Sequence, residues 1–205
     1  MFEVQVLGTI TAVDLFELRL RACGASDGVR FRHVETICKI PPLPGGGVNG
    51  KVRLIKANDV KWKMVQEHEV KTKDAARVMK VDSCELRGEV ETTIKQLGFI
   101  PEFPIGRVGK RVEVGLATTT TAGAGAVWEV EYFLLFDPKS KPNGTLQQCY
   151  VIEPNVECWL VTIRHRFEDA KDMPGLLTQS NRLIKCLAPE FQPLSWSALD
   201  QEVAK

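Results

Sequence analysis

The sequence predicts an α+β fold that is mainly antiparallel β, a single closed or nearly closed barrel of about eight strands with two or three flanking helices. Two observations favour this fold. Short segments with branched and aromatic residues at alternate positions recur along the chain, and glycine- and proline-rich segments separate them. Closing such a sheet removes the exposed edges that a flat sheet would leave. We therefore expect residues 1–205 to form one β-barrel domain.

Nine segments have the alternating pattern of a strand. In the first of them, Val4 and Val6 alternate with Glu3 and Gln5, which is typical of a strand with one buried face. The other segments share this period of two and are rich in valine, isoleucine and aromatic residues. The predicted strands are residues 2–8, 29–40, 51–56, 61–70, 76–86, 107–117, 127–136, 147–153 and 157–167.

Loops are predicted where glycine, proline and small polar residues cluster. The segment 41–50 reads PPLPGGGVNG, 118–126 reads TTTTAGAGA, and 137–144 reads DPKSKPNG. None of these compositions supports a helix or a strand ladder. No internal repeat and no linker divides the chain into two domains.

The first predicted helix covers residues 12–22. Thr11 is its predicted N-cap, Asp14 lies at the capping-box position, and Gly24 follows its end. The evidence for a helix is mixed, because the segment FELRLR within it also alternates as a strand does.

Two further helices are predicted, at residues 87–97 and 174–188. The former repeats apolar residues at helical spacing and ends before Gly98. The latter has Pro174 in its first turn and Pro189 after its end. Its apolar stripe is typical of a helix that packs on its own sheet, and it consists of Leu176, Leu177, Leu183, Ile184 and Leu187.

Composition limits the classes of function. The apolar fraction of 44% and the charged fraction of 26% are those of a folded globular chain. Lys and Arg number 27 against 26 Asp and Glu, so the net charge of +1 gives no general reason to expect nucleic-acid binding. The N-terminal sequence has no secretory signal, and the longest apolar run, YFLLF, is too short to cross a bilayer. We expect no membrane association.

The six cysteines favour neither a zinc site nor a disulfide framework. They are scattered along the chain and never form a C-x-x-C pair, whereas structural zinc usually takes close ligand pairs. Without an export signal they are expected to be reduced and mostly buried. The positions are Cys23, Cys38, Cys84, Cys149, Cys158 and Cys186.

Other patterns give only weak indications of chemistry. The three histidines, His33, His68 and His165, all lie in predicted strands and form no pair at metal-ligand spacing. The segment IGRVGK has a G-x-x-G spacing, but strands and not helices flank it, so a bend in a long strand is favoured over a nucleic-acid loop. The basic segments RFRH and RHRF fit either stacking on single-stranded nucleic acid or a half-buried strand.

Two glutamates pose the main functional question. Glu129 and Glu131 lie two positions apart in a predicted strand, so their side chains share one face about 7 Å apart. Inside a barrel such a pair can hold a divalent cation for triphosphate hydrolysis, with inward arginines neutralising the phosphates. On the outside it would be an ordinary solvated face.

The first strand argues against a metal site. In triphosphate-tunnel enzymes that strand carries E-x-E, but here it reads Glu3-Val4-Gln5, and the amide removes one anionic ligand. We therefore expect a lumen poor in acidic ligands, with no catalytic, metal or cofactor site. Lys51 and Glu113 could point the same way as the pair. The alternative is a triphosphate site formed by Glu3, Arg53, Arg111, Glu129 and Glu131.

The order of elements resembles the Mediator complex subunit 18 family, over nearly the whole chain. A first strand ends in LG, at residues 7–8, and a helix and the strand RFRHVETICKI follow. KVRL and WKMVQEH come next, and VMKVDSCELRGEVETTIKQLGF is similar to the family's strand, helix and L-G-[YF] junction. CWLVTIR precedes the last helix, and LAPEFQPL is similar to the family's L-x-P-x-x-x-L tail. The loops 118–126 and 137–144 depart from the pattern.

The resemblance implies a barrel similar to the triphosphate-tunnel enzymes, but without an enzymatic role. It implies a nuclear coactivator subunit of the Mediator head module, which regulates transcription through protein–protein interaction. The implied partners are subunit 20, a related barrel, the C-terminal helix of subunit 8, and RNA polymerase II through the assembled head. The runner-up is a metal-dependent phosphohydrolase acting on an RNA 5′-triphosphate or inorganic triphosphate. The resemblance assigns no partner-binding residues, and it leaves open whether residues 197–205 are a flexible tail or a partner contact.

Overall fold

The structure is a computed structural model that describes residues 1–40, 51–57, 61–73, 75–116, 126–138 and 159–195. Eight strands within these ranges form one antiparallel sheet, and each strand pairs with its two neighbours. The strands are β1 (Phe2–Ile10), β2 (Val29–Lys39), β3 (Lys51–Ala57), β4 (Lys61–Lys73), β5 (Ala76–Leu86), β6 (Ile100–Leu116), β7 (Ala126–Phe136) and β8 (Trp159–Phe167).

The sheet closes into a barrel. Its order is β5-β4-β3-β2-β6-β7-β8-β1, and β1 also pairs with β5, from Phe2 opposite Lys80 to Val6 opposite Ala76. A short ninth strand, β9 (Gln192–Pro193), adds to the end of β1. The predicted mainly antiparallel barrel of about eight strands is therefore confirmed. The predicted strand 147–153 and most of the three predicted loops lie outside the described residues.

Strand β6 begins earlier than predicted. The sequence predicted a strand from residue 107, although residues 101–104 contain two prolines, Pro101 and Pro104, which are uncommon within a ladder. In the structure these prolines belong to β6, opposite Cys38 and Thr36 of β2, and the register of the β2–β6 pair shifts between these two positions. Prolines are tolerated where a bulge or irregularity interrupts the ladder, so the strand continues through them.

Three helices accompany the barrel, as predicted: α1 (Val13–Ala22), α2 (Val90–Gln96) and α3 (Met173–Leu187). Gly24 and Gly98 have positive φ after α1 and α2, which explains why glycine ends both helices. The predicted cap at Thr11 is wrong. The residue before α1 is Ala12, and no side chain caps that end, because the chain enters α1 directly from β1. None of the described helices is long and apolar enough to cross a membrane.

Helices α1 and α3 cover one side of the barrel and share the main hydrophobic core with it. On α1, Phe16 and Leu20 are buried while Leu18 is 58% exposed. A strand would have placed all three side chains on one face, so this burial pattern resolves the mixed signal of FELRLR in favour of a helix. Helix α3 buries Leu176, Leu177, Leu183 and Leu187 from its predicted stripe, and Ile184 is partly buried.

Helix α2 covers a different side of the barrel with a smaller core. Val90 and Ile94 pack against Cys38 of β2 and against Val52 and Leu54 of β3. The helix is short, and Leu97, predicted to belong to its apolar face, is 58% exposed just after its end.

The two glycines of the G-x-x-G segment lie inside β6, and the structure explains them by close approach. A Cβ on Gly109 would lie 2.1 Å from the carbonyl oxygen of Tyr132 on β7. A Cβ on Gly106 would lie 2.3 Å from the ring of Phe136. Close packing of β6 against β7 therefore accounts for glycine at both positions.

Candidate functional site

Alternation along the strands decides which side chains enter the lumen of the barrel. On β7, Trp128, Val130 and Tyr132 belong to the main core outside the barrel wall, which they share with α1 and α3. The residues between them, Glu129 and Glu131, therefore face the lumen. The pair therefore lies inside the barrel and not on a solvated outer face.

The same reasoning places Glu3 in the lumen. Val4 and Val6 of β1 pack in the outer core, so the side chain of Glu3, which is 2% exposed, points to the other face. Arg166 on β8 lies directly opposite Glu3 in the ladder, and its Nε donates to Oε2 of Glu3 at 2.8 Å.

Charged side chains from all eight strands meet in the lumen. Lys63 of β4 stands on the wall opposite β7, and burial, together with Arg166 and Arg164, lowers the pKa of its ammonium group. The charged groups that face inward are the carboxylates Glu3, Glu35, Glu67, Glu69, Glu129 and Glu131 and the cations Arg53, Lys63, Arg77, Arg107, Arg111, Arg164 and Arg166.

The first cluster of ion pairs surrounds Glu131, which is fully buried. Arg111 donates from Nε to Oε1 of Glu131 at 2.7 Å. Nη2 of Arg164 lies 2.6 Å from the other oxygen, Oε2. Both arginines also contact Glu129, so two carboxylates share two guanidinium groups.

The electrostatics of this cluster follow from burial and from the shared charges. Burial alone would lower the pKa of Arg164, but Glu131 and Glu129 raise it above its ordinary value. Burial alone would raise the pKa of Glu129, but Arg164 and Arg111 lower it below its ordinary value. Arg164 and Glu129 therefore remain charged at neutral pH, and the protein's own arginines lie against both carboxylates of the cluster.

The second cluster surrounds Glu35 on β2. Nη2 of Arg107 lies 2.8 Å from Oε2 of Glu35, and Nη1 of Arg53 lies 3.5 Å from Oε1. His33 Nε2 is 3.3 Å from the same Oε1, and Arg53 also pairs with Glu67 of β4. This cluster joins β2, β3, β4 and β6 through charges that sequence spacing does not connect.

The pKa of the Glu35 carboxyl group is strongly lowered. Burial opposes its charged form, but hydrogen bonding to His33 and the charges of Arg107 and Arg53 lower its pKa to about 2, from an ordinary 4.5. Because the folded state holds the charged form more tightly than the unfolded state, this carboxylate stabilises the fold above pH 4.5. That contribution is lost as the pH falls from 4.5 through about 2.

We expect Glu35→Gln to lower the free energy of unfolding at pH 7 by about 3 kcal/mol and to remove much of the acid dependence below pH 5. Urea unfolding at a series of pH values would measure both effects. Glu91→Gln, at an exposed position on α2, is the matched control and should keep the wild-type pH dependence. An unchanged acid profile in Glu35→Gln would show that the cluster does not hold the carboxylate in its charged form.

The five residues of the predicted triphosphate site are brought together, although not in the form that a metal site requires. All five face the lumen, and each is ion-paired within the protein. Lys51 instead lies 3.7 Å from Glu102 near the end of β3, and Glu113 is exposed. The five site residues are Glu3, Arg53, Arg111, Glu129 and Glu131.

The lumen contains more carboxylates than the sequence predicted. Glu35, Glu67 and Glu69 also face inward, and so do Arg107 and Arg164, none of which the sequence singled out. Their alternation with apolar residues was visible, but nothing in the sequence indicated which face of each strand lies inside. The prediction that the lumen holds few acidic side chains is therefore wrong.

The arrangement of these carboxylates does not form a metal site among the described residues. No group of three or more His, Cys, Asp or Glu side chains in those ranges is placed to hold one ion. A divalent cation would have to displace guanidinium groups from Glu129 and Glu131, and Arg164, whose side chain is only 15% exposed, would then lose its carboxylate partners.

Two of the three histidines have structural contacts. His33 belongs to the second cluster and stacks on Phe31, with ring centroids 5.1 Å apart. His165 lies against the buried ring of Trp128, and its Nδ1 is 2.7 Å from the carbonyl oxygen of Val127. These contacts fit the predicted role of hydrogen-bonded strand residues.

Comparison with known proteins identifies the fold. No family model and no curated protein matches the sequence. The structure is similar to a chain of the Schizosaccharomyces pombe Mediator head module, with a TM-score of 0.63 at 13% identity, over 90% of this chain and 95% of that chain. The chain therefore shares its fold with a component of a Mediator head module.

Archaeal and bacterial proteins share the same fold. The PH1819 protein of Pyrococcus horikoshii gives a TM-score of 0.55 at 12% identity, over 97% of this chain and 99% of that chain. A Vibrio parahaemolyticus protein with a provisional adenylate cyclase assignment gives 0.53 at 10% identity, over 98% of both chains. At these identities the matches define the fold alone, so function has to be argued from the lumen.

Proposed function

We propose that this chain is a non-enzymatic protein-interaction subunit of a Mediator head module, corresponding to subunit 18. Its partners would be the barrel subunit 20 and the C-terminal helix of subunit 8, and the assembled head would engage RNA polymerase II in the nucleus. The similarity to a chain of the S. pombe head module over nearly the full length of both chains supports the proposal.

The observation that carries the proposal is the pairing of Glu131 and Glu129 with Arg111 and Arg164. A catalytic metal site keeps its carboxylates available to a cation, whereas these carboxylates tie neighbouring strands together. A lumen organised in this way stabilises a barrel whose outer surface is used for binding.

Two pairs of exposed apolar residues are available for partner contact. Leu15 and Leu18 on α1 are 52% and 58% exposed, and Leu97 and Ile100 after α2 are 58% and 60% exposed. Exposed apolar side chains grouped on one element are typical of surfaces that another protein covers. Helix α1, which carries the first pair, and helix α2, which the second pair follows, cover different sides of the barrel.

Affinity purification of the tagged chain from its native source tests the proposal. Mediator head subunits, including a second barrel protein, are expected to co-purify in stoichiometric amounts. Leu97→Asp with Ile100→Asp, and Leu15→Asp with Leu18→Asp, are two surface variants that would show which group contacts a partner. Recovery of the folded wild-type chain without any Mediator subunit would overturn the proposal.

A second candidate function is a triphosphate-tunnel phosphohydrolase. The observation in its favour is that Arg53 and Arg107 line the lumen with their buried Nε atoms lacking hydrogen-bond partners in the described part of the chain. Such donors could bind phosphate oxygens. The reaction would need a divalent cation, which Glu3, Glu129 and Glu131 would have to hold.

Phosphate release from tripolyphosphate with Mg²⁺ or Mn²⁺ tests this candidate function. Under the scaffold proposal we expect the wild-type protein to release no more phosphate than Glu129→Ala and Glu131→Ala. Each variant must first be shown to be folded by circular dichroism. Activity in the wild type that disappears in both folded variants would establish the enzyme and refute the scaffold proposal.

A further inference from the structure

Helix α1 and the end of α3 meet in an antiparallel arrangement that brings two cysteines together. The ring of Phe16 lies 6.5 Å from that of Phe191, and one turn further along α1, Nε of Arg19 donates to Oε2 of Glu190 at 2.9 Å. One turn beyond Arg19, Cys23 lies near Cys186 of α3, close enough for Cys186 to raise the pKa of the Cys23 thiol. Positions 16, 19 and 23 share one face of a helix, and their neighbours Phe191, Glu190 and Cys186 follow in reverse order, so the cysteine pair continues the line of contacts between α1 and the end of α3.

The two thiols differ in accessibility. Cys23, at the C-terminal end of α1, is half-buried against the main core, whereas Cys186, in the last turn of α3, is exposed. Burial raises the pKa of the Cys23 thiol, and Cys186 adds to this effect. Cys23 is therefore protonated at neutral pH, and the exposed Cys186 meets a reagent in solution first.

We propose that Cys23 and Cys186 are a reversible modification site, at which a low-molecular-weight disulfide such as glutathione disulfide oxidises the pair to an intramolecular disulfide. The thiolate of Cys186 attacks one sulfur of glutathione disulfide, and one glutathione thiolate leaves. The sulfur of Cys23 then loses its proton to water and attacks Sγ of Cys186, so that the second glutathione leaves. Two protein thiols are oxidised, and one glutathione disulfide is reduced to two glutathione molecules.

The disulfide would join α1 to α3, the two helices that cover one side of the barrel. It would also close most of the chain into a single loop, which restricts the unfolded state and stabilises the folded one. The other cysteines of the described ranges lie elsewhere, with Cys38 buried beneath α2 and Cys84 exposed on β5. Cys84 therefore serves as the matched control for an exposed thiol without this neighbour.

Mass spectrometry of the folded wild-type protein tests the proposal without any substitution. After incubation with glutathione disulfide, the intact protein should lose the mass of two hydrogen atoms. A non-reducing tryptic digest should contain residues 22–30 linked to residues 186–205, and dithiothreitol should separate them. The melting temperature should rise on the order of 5 °C on oxidation and return on reduction.

Two variants distinguish this site from general thiol oxidation. Cys84→Ser should behave as the wild type, whereas Cys23→Ser should stop at a glutathione adduct on Cys186. The proposal is overturned if both thiols of the folded wild type end as separate glutathione adducts or remain free. It is equally overturned if either thiol is linked instead to Cys149 or Cys158.

Discussion

Glu131→Ala is expected to lower the free energy of unfolding by about 3–5 kcal/mol, among the largest losses for any single substitution in this barrel. The Glu131 side chain is fully buried and contacts the guanidinium groups of Arg111 and Arg164. Alanine would leave two arginines to share Glu129 alone. The desolvation of Arg164, whose side chain is 15% exposed, would be less well offset, because the missing carboxylate was its only fully buried partner in this cluster.

Glu113→Ala is the matched control for this measurement. Glu113 lies on β6 opposite Glu129, but it is exposed at the end of the barrel, so its removal should change stability by less than about 0.5 kcal/mol. Urea unfolding of both variants, with the midpoint and the m-value compared, separates a loss of stability from a change in the denatured state. Equal losses in the two variants would contradict a structural role for the buried cluster.

The sign of the Glu131 effect also bears on function. A carboxylate that is retained to bind a metal often destabilises the metal-free protein, so its removal leaves the free energy of unfolding unchanged or increases it. Removal of a carboxylate that neutralises buried arginines has the opposite effect and lowers the free energy of unfolding. A large destabilisation therefore supports the scaffold proposal, and a stabilised variant would favour the phosphohydrolase.

Phe16→Ala is expected to lower the free energy of unfolding by about 3–5 kcal/mol, because it leaves a cavity between α1 and the barrel. The Phe16 ring is fully buried, packs edge-on against Tyr132 of β7 at 5.7 Å, and lies 6.5 Å from Phe191. The cavity would open between three elements that pack only through their side chains. A fall in the melting temperature of about 10 °C should be seen by calorimetry.

Leu15→Ala provides the comparison within the same helix. Leu15 is 52% exposed, so its truncation should change stability by less than about 0.5 kcal/mol if the chain is tested alone. Comparable losses for Leu15 and Phe16 would mean that α1 does not pack in the observed orientation. A strong effect of Leu15→Ala only in the assembled complex would instead identify α1 as a partner contact.

The sequence predicted the elements well where the signal was local. Strands with a period of two were recognised. The ends of α1 and α2 followed from Gly24 and Gly98, because only glycine adopts positive φ at no steric cost. The errors arose where tertiary packing overrode local preference. Pro101 and Pro104 are accommodated by the irregular β2–β6 register, and α1 begins without the Thr11 cap because β1 leads straight into it.

The sequence by itself determined that this chain is a mainly antiparallel barrel with three helices, since alternation and turn residues are properties of neighbouring positions. It could not determine which face of each strand is inside, and hence that Glu35, Glu67, Arg107 and Arg164 would meet in the lumen. That choice depends on which side the helices cover, because the strand faces that pack against α1, α2 and α3 are apolar and these charged residues are left to the interior. Only the closed barrel brings opposite charges from distant strands together, and burial there requires each carboxylate to find an arginine.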